Sequence, residues 1–210
     1  MGVRTIDADD VVHDLQGPGG AAVEPIIARF GNAVLDARGG IDRRRLSEAV
    51  FGIENGELRI ENSPMGGPPS PAAAARRDLE AILFPMVKRR IDEFFASSHP
   101  ASDIQYPHSQ SSILNSQFSL AIIPLLFESH WDEDYDIILV LVSEHEAQIR
   151  RMTETRGLSR EEAEARIAAQ MPVSEKAARA DYVIRNDSTP QALHAEAVRL
   201  VEWLESKIRG

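Results

Sequence analysis

The chain has 210 residues and a mass of 23.2 kDa, and its 43% hydrophobic and 27% charged residues exclude wholesale disorder. Thirty-three acidic residues against 23 lysines and arginines give a net charge of −10, which disfavours nucleic acid as a partner, although a few local arginines can still hold a phosphate. The lack of cysteine excludes a disulfide framework, a cysteine zinc site and a thiolate nucleophile, and it fits a reducing compartment.

The first half of the chain is predicted to be mainly helical, because its apolar residues recur at the 3.6-residue spacing of a helix. After a short apolar start at Val3–Ile6, the predicted helices are Asp9–Leu15, Ala21–Phe30, Ile41–Phe51 and Arg76–Phe95. Residues 52–75 are rich in Gly, Pro, Asn and Ala without periodicity, so we predict an irregular insertion there.

The second half is predicted to combine strands with helices. After a second irregular insertion at about 97–119, the predicted elements are the strands Leu120–Phe127 and Ile137–Val142, the helices Ser143–Arg156 and Ser159–Gln170, the strand Tyr182–Ile184 and the helix Pro190–Ile208. The first two strands are continuously apolar, as strands buried on both faces should be. This alternation predicts an α/β fold with a parallel sheet, in a single domain over 1–210.

We expect no membrane partner and a cytoplasmic location. No stretch of the sequence reaches the about 18 apolar residues that a membrane span needs, and the first residues contain no apolar signal core.

Four blocks of the sequence carry the functional signal. They are Ile6-Asp7-Ala8-Asp9 with His13, Gly40–Phe51 with Arg43, Ile123-Pro124-Leu125-Leu126-Phe127-Glu128, and Gln148–Asn186 with Arg151, Gly157, Arg166, Lys176 and Ala180-Asp181-Tyr182. In this order and spacing the blocks resemble the dephospho-CoA kinase family, over nearly the whole chain except the two insertions.

The resemblance implies a P-loop-kinase fold, with a parallel sheet, flanking helices and a helical lid at about 148–176. It also implies an enzyme that moves the γ-phosphate of ATP, with Mg²⁺, to the ribose 3′-hydroxyl of dephospho-CoA, the last step of coenzyme A synthesis. No residue of the chain is assigned to the metal. The partner is therefore a small molecule, and the oligomeric state is left open.

Asp9 matches the family's catalytic aspartate and is the candidate general base, with Asp7 as its neighbour on the dephospho-CoA side. A carboxylate just past the end of a strand lies at the crevice where α/β folds bind ligands. The structural alternative for both residues is helix N-capping, a role that Asp fills well.

Arginines of the lid match family positions whose guanidinium groups reach phosphates. Arg166 is assigned a catalytic role and Arg151 a role in binding ATP phosphates, where planar bidentate contact is useful. Asn186, just after a strand, matches the contact region for the ATP base. The alternative for these arginines is a solvated charged face.

Arg43, Pro124 and Glu128 are assigned by the resemblance to the dephospho-CoA side. For Arg43 the alternative is an ordinary i,i+4 salt bridge. Pro124 and Glu128 follow a predicted strand, facing the same crevice.

The 210 residues contain no G-x-x-x-x-G-K-[S/T] segment, the glycine-rich loop that opens family members and cradles phosphates. We therefore expect that the first strand and helix of the kinase fold are absent, and that the chain is truncated and inactive as written. The missing strand would lie between Leu120–Phe127 and Ile137–Val142. Two alternatives stay open: an enzyme whose start codon is wrongly set, and a pseudokinase remnant that binds CoA-like ligands or acts as an interaction protein.

Overall fold

A computed structural model describes residues 3–51, 71–97, 118–168, 170–187 and 189–209. Its elements, in chain order, are β1 (Arg4–Asp7), α1 (Ala8–Gln16), α2 (Val23–Phe30), α3 (Arg43–Phe51), α4 (Pro71–Ala96), β2 (Ser119–Ile122), β3 (Leu139–Val142), α5 (His145–Arg156), α6 (Arg160–Ala168), α7 (Val173–Ala178), β4 (Tyr182–Arg185) and α8 (Pro190–Arg209). Most of both predicted insertions, 52–75 and 97–119, lies outside the described residues.

The chain forms two compact units, Met1–Pro124 and Leu125–Gly210. In the first, β1 pairs with β2 in parallel, from Arg4 opposite Ser119 to Asp7 opposite Ile122. In the second, β3 pairs in parallel with β4, from Leu139 opposite Tyr182 to Val142 opposite Arg185. These pairs confirm the predicted α/β class with parallel strands, while the single domain and the lid at 148–176 stay predictions.

In the first unit, the end of α1 is fixed by a tight glycine loop. The Gly20 amide donates to the Gly17 carbonyl at 2.8 Å, and the Ala22 amide donates to the Leu15 carbonyl at 3.0 Å. A Cβ atom on Gly20 would lie 2.2 Å from the Leu15 carbonyl oxygen, so only glycine fits there. The Ile41 amide then donates to the Gln16 carbonyl at 2.8 Å, which ties the end of α1 to the segment before α3.

Helix α4 begins at Pro71, five residues before the predicted start at Arg76. Proline is well placed in the first turn of a helix, and the alanines Ala72–Ala75 that follow are the strongest helix formers. The compositional reading of 52–75 as irregular is therefore wrong for 71–75. The buried residues Leu83, Val87 and Ile91 mark the side of α4 that faces the core.

The apolar run predicted as the strand Leu120–Phe127 is a strand only as far as Ile122, and residues 124–130 form turns. Pro124 has no amide hydrogen for a sheet. Phe127, only 3% exposed, packs instead with Val140 and Val142 in the core of the second unit. Apolar content in this run thus reflects burial of Phe127 rather than a longer strand.

The prediction that both apolar strands are buried on both faces is wrong. Leu120 and Ile122 of β2 are 38% and 48% exposed, and Leu141 of β3 is 58% exposed. In the described part of the chain β2 pairs with β1 and β3 with β4, and each of these sheets has two strands.

No helix in the described part of the chain is long and apolar enough to cross a membrane.

Candidate active site

A pocket of about 370 Å³ lies among three helices of the first unit. Its polar side chains are Asp9 and Gln16 of α1 with Arg43 and Ser47 of α3. Its apolar side chains are Val12, Leu46, Val50 and Leu79. On α1 the pocket residues stand at i, i+3 and i+7, and on α3 they stand at i, i+3, i+4 and i+7. This spacing places the residues of each helix on one face of that helix. The pocket brings together Asp9, the predicted catalytic base, and Arg43, which was predicted for the dephospho-CoA side.

Asp7 and Asp9 are in different environments, although they are two residues apart. Asp7 is the N-cap of α1, and its Oδ1 accepts a hydrogen bond from the Asp9 amide at 2.8 Å. Among the described residues the Asp9 carboxylate has no hydrogen-bond or ion-pair partner. The capping alternative therefore applies to Asp7, while the carboxylate of Asp9 lies exposed at the pocket.

Arg43 is the first residue of α3, which begins there because Asp42 caps it. Asp42 Oδ1 accepts hydrogen bonds from the amides of Arg44 and Arg45 at 3.0 and 3.1 Å. Arg44 pairs with Glu48 at 2.8 Å, so the i,i+4 salt bridge considered for Arg43 belongs to its neighbour. The residue four positions after Arg43 is Ser47, which carries no charge. Within the described ranges the Arg43 guanidinium has no partner.

Pro124 is exposed, follows β2, and is not among the residues that line this pocket. The structure thus leaves its predicted role on the dephospho-CoA side as a prediction.

In the second unit, Arg151 and Asn186 are in direct contact. Arg151 Nη2 donates to the Asn186 backbone carbonyl at 2.6 Å, and Arg151 Nη1 donates to Ser143 Oγ at 2.7 Å. The Asn186 amide in turn donates to the Val142 carbonyl at 2.9 Å. Arg151 therefore holds α5 against the ends of β3 and β4, and three of its five N–H donors are outside these two bonds.

Glu128 is engaged in an ion pair within the second unit. Its Oε1 lies 2.7 Å from Lys176 Nζ and accepts a hydrogen bond from the Met171 amide at 3.0 Å. The Glu128 and Lys176 side chains are 24% and 13% exposed, respectively. Burial raises the pKa of Glu128, but the hydrogen bonds from Lys176 and Met171 outweigh it and hold the pKa below its usual range. These contacts tie the turn at 124–130 to α7, a short helix absent from the sequence prediction.

Arg166 lies exposed on α6, and its guanidinium has no hydrogen-bond or ion-pair partner in the part of the chain that the structure describes. The nearby Arg160, by contrast, pairs with both Glu146 at 2.6 Å and Glu164 at 2.9 Å. Arg160 thus belongs to a charged surface of paired side chains, as the alternative for the lid arginines predicted. The Arg166 guanidinium is not paired with a described residue and could bind a phosphate.

Glu128→Gln is expected to lower the free energy of unfolding by about 1–3 kcal/mol at pH 7, because Lys176 loses its partner in a mostly buried site. The pKa of Glu128 is lower in the folded chain than its ordinary value of 4.5, so the ion pair stabilises the fold fully above that pH. As the pH falls through the folded-state pKa, this stabilisation is lost. Urea unfolding at several pH values measures the difference between the two proteins.

The matched control is Glu154→Gln, because Glu154 is an exposed residue of α5 without a partner among the described residues. We expect it to change the free energy of unfolding by less than about 0.5 kcal/mol. A Glu128→Gln effect that does not shrink below pH 4.5 would contradict the role of the carboxylate charge.

A dephospho-CoA kinase family model matches residues 1–63 and 71–191 of the chain. The chain belongs to the dephospho-CoA kinase family. Members of this family are phosphotransferases that use ATP as the phosphate donor and act on dephospho-CoA in coenzyme A synthesis.

Similarity to individual proteins agrees with the family. The chain is 35% identical over 189 residues to the dephospho-CoA kinase of Symbiobacterium thermophilum, covering 88% of the chain and 64% of that protein's length. It is 30% identical to the enzyme of Thermobifida fusca, covering 100% of the chain and 88% of that protein. A crystal structure from Thermus thermophilus superposes with a TM-score of 0.65 at 28% identity, covering 95% of this chain and 83% of that one.

The dephospho-CoA kinase of Campylobacter jejuni has a TM-score of 0.60 at 23% identity, covering 98% of this chain and 87% of that one, and this likeness supports the fold alone.

Residues of this pocket that the sequence prediction missed are Gln16 and Ser47. Helix spacing gives only their face: Gln16 stands seven positions after Asp9 and Ser47 four positions after Arg43, so each lies on the same helix face as that residue. No group of three or more His, Cys, Asp or Glu side chains that could hold a metal ion occurs in the described residues.

Proposed function

We propose that the pocket of the first unit is the acceptor site of a dephospho-CoA kinase, which phosphorylates the ribose 3′-hydroxyl of dephospho-CoA. The observation that carries this proposal is that Asp9 and Arg43 line the same pocket. Neither side chain is bonded to another described residue, so Asp9 offers a carboxylate and Arg43 a guanidinium group to the transfer of a phosphoryl group to a hydroxyl.

Asp9 acts in this proposal as the general base. Phosphoryl transfer needs little covalent help from the protein, but it needs positioning and a group that receives the proton of the attacking hydroxyl. The Asp9 carboxylate suits this task, because Asp7 rather than Asp9 caps α1 and the pocket leaves the Asp9 oxygens open.

Arg43 binds the anionic part of dephospho-CoA in this proposal. A guanidinium group forms paired hydrogen bonds with phosphate oxygens, and Arg43 has none of its donors committed to a described residue. The four apolar residues of the pocket would cover the uncharged part of the ligand.

The second unit supplies the ATP-side residues in this proposal. Arg166 contributes its exposed guanidinium to the phosphates, and Asn186 lies near the base of ATP. Arg151 uses its remaining N–H donors for phosphate, because two are already bound to Ser143 and Asn186. Glu128 and Pro124 act on the dephospho-CoA side by shaping the turn that follows β2.

Magnesium accompanies ATP in the proposed reaction. Mg²⁺ keeps most of its water and binds through one or two carboxylates together with substrate phosphates, so it needs no cage made only of protein ligands. No residue of the chain is assigned to the metal in this proposal, because the Asp9 carboxylate at the pocket serves as the general base.

A second candidate function is binding without turnover, as in a pseudokinase remnant that holds CoA-like ligands. The observation that favours it is the lack of a G-x-x-x-x-G-K-[S/T] segment in the 210 residues. Both candidates use the same acceptor pocket, and they differ in whether ATP is consumed.

Arg43→Ala is expected to weaken binding of dephospho-CoA by about ten- to a hundredfold, because charge-assisted hydrogen bonds to a phosphate are lost. Calorimetric titration of dephospho-CoA into the purified chain measures the dissociation constant. The matched control is Arg44→Ala on the same helix, since Arg44 pairs with Glu48 and does not line the pocket.

We expect Arg44→Ala to bind dephospho-CoA as the unchanged chain does. Equal weakening in the two variants, or no binding of dephospho-CoA to the unchanged chain at millimolar concentration, would contradict the assignment of this pocket.

A further inference from the structure

Gln16 is a buried polar residue whose side-chain amide has no hydrogen-bond partner among the described residues. It is only 6% exposed, and it lines the same pocket as Asp9 and Arg43. Its backbone carbonyl is already engaged, because it accepts the hydrogen bond from the Ile41 amide. The Gln16 side chain is therefore held by its burial at the pocket wall, while its amide group stays open to a ligand that can pair with it.

The position of Gln16 relative to Asp9 limits what that group can be. Asp9, Val12 and Gln16 share one face of α1. With a rise of 1.5 Å per residue, seven residues place Gln16 about 10 Å along the helix axis from Asp9. A ligand with its reacting hydroxyl at Asp9 therefore presents a neighbouring group, rather than the hydroxyl itself, to Gln16.

The chemistry of Gln16 differs from that of the other polar side chains at the pocket. The Asp9 carboxylate only accepts hydrogen bonds and the Arg43 guanidinium only donates them, whereas Ser47 has a single hydroxyl oxygen. The Gln16 amide offers a donor and an acceptor side by side in one plane. That pair matches the edge of adenine, where N7 accepts and the exocyclic N6 amino group donates.

We infer that Gln16 is a specificity-determining residue that binds the adenine edge of the acceptor, with its amide NH₂ donating to N7 and its carbonyl accepting from N6. The inference rests on the proposed function, in which the ribose hydroxyl of dephospho-CoA lies at Asp9. The adenine of dephospho-CoA is attached to the same sugar as that hydroxyl, and it is a rigid group that carries a donor and an acceptor side by side.

The experiment compares dephospho-CoA with its hypoxanthine analogue, in which an oxygen acceptor replaces the N6 amino donor. Calorimetric titration into the 210-residue chain is expected to show about ten- to a hundredfold weaker binding of the analogue. In Gln16→Met, which keeps the side-chain length without hydrogen-bonding groups, the two ligands are expected to bind about equally. The variant should fold, because methionine has nearly the same volume and no hydrogen bond to a described residue is lost.

Ser47→Ala is the matched control, since it removes a hydroxyl from the same pocket without touching the amide, and it should keep the preference for adenine. Equal binding of dephospho-CoA and its hypoxanthine analogue by the unchanged chain overturns the inference but leaves the proposed function intact. This comparison needs no variant of the protein. A preference that survives in Gln16→Met also overturns the inference. If neither ligand binds the unchanged chain, the proposed function fails and the inference fails with it.

Discussion

The purified 210-residue chain is expected to transfer no phosphoryl group from ATP to dephospho-CoA. Kinases of the P-loop type hold the β- and γ-phosphates with the backbone amides of a glycine-rich loop and with its lysine. No glycine cluster of the chain offers this, because Gly17–Gly20 has no lysine, Gly39-Gly40 is followed by Ile41-Asp42 and Gly66-Gly67 is followed by Pro68-Pro69.

The hydrogen bonds of Gly17–Gly20 give a second reason why this loop does not bind phosphates. The Gly17 amide donates to the Asp14 carbonyl at 3.2 Å and the Gly20 amide donates to the Gly17 carbonyl at 2.8 Å, while Pro18 has no amide hydrogen. The Gly17 and Gly20 amides are therefore engaged at the end of α1 and within the loop, and do not point together at a phosphate. Removing one preorganised donor from a transition state costs about 10²–10³-fold in rate, so we expect no measurable turnover from 210 residues that contain no such cradle.

A fusion that adds a strand, a glycine-rich loop with lysine and a helix, roughly 25 residues ahead of Arg4, is expected to gain turnover. Release of ADP that depends on dephospho-CoA measures it. The matched control is the same fusion with alanine in place of the loop lysine, which should fall back toward the rate of the unmodified chain. Turnover by the unmodified chain above a blank without protein would contradict the prediction and show that other groups hold the phosphates.

Local sequence signals predicted the helices of the first unit well. In α1, Val11 and Leu15 lie buried at helical spacing, and Asp7 stands at the cap position, so pattern and capping agree. The ends of strands were harder to predict. The run from Leu120 to Phe127 is apolar throughout, but its first part forms a short strand and its last part forms a turn around Phe127. Periodicity alone does not distinguish these outcomes.

The candidate site was predictable where the family resemblance pointed to a residue, even though capping and salt-bridge alternatives stayed open for it. Asp9 and Arg43 follow from the family resemblance, and the pocket brings them together. The contact between Arg151 and the Asn186 carbonyl was not predictable, since it joins a side chain to a backbone atom 35 residues away. Gln16 was missed because a glutamine at the end of an amphipathic helix is ordinarily exposed, and its burial depends on the loop that returns through Ile41.

Asp9→Asn is expected to lower kcat by about two to four orders of magnitude in the active fusion, because general-base assistance to the attacking hydroxyl is lost. Asparagine has nearly the same shape as aspartate and still accepts hydrogen bonds, but it does not take up the proton. Since Asp7 rather than Asp9 caps α1, the helix should form as before. The KM for dephospho-CoA should change far less than kcat, since Arg43 and the apolar wall of the pocket stay in place.

Asp10→Asn is the matched control for this prediction. Asp10 is exposed, lies in the same first turn of α1 and does not line the pocket, so the variant removes the same charge from the same helix end. Loss of a carboxylate there weakens the interaction with the helix dipole by only about 0.3–1 kcal/mol. We therefore expect Asp10→Asn to stay within about threefold of the parent kcat, which steady-state kinetics with both variants measures. Similar rates for Asp9→Asn and Asp10→Asn would show that Asp9 serves the helix terminus and not the proton transfer.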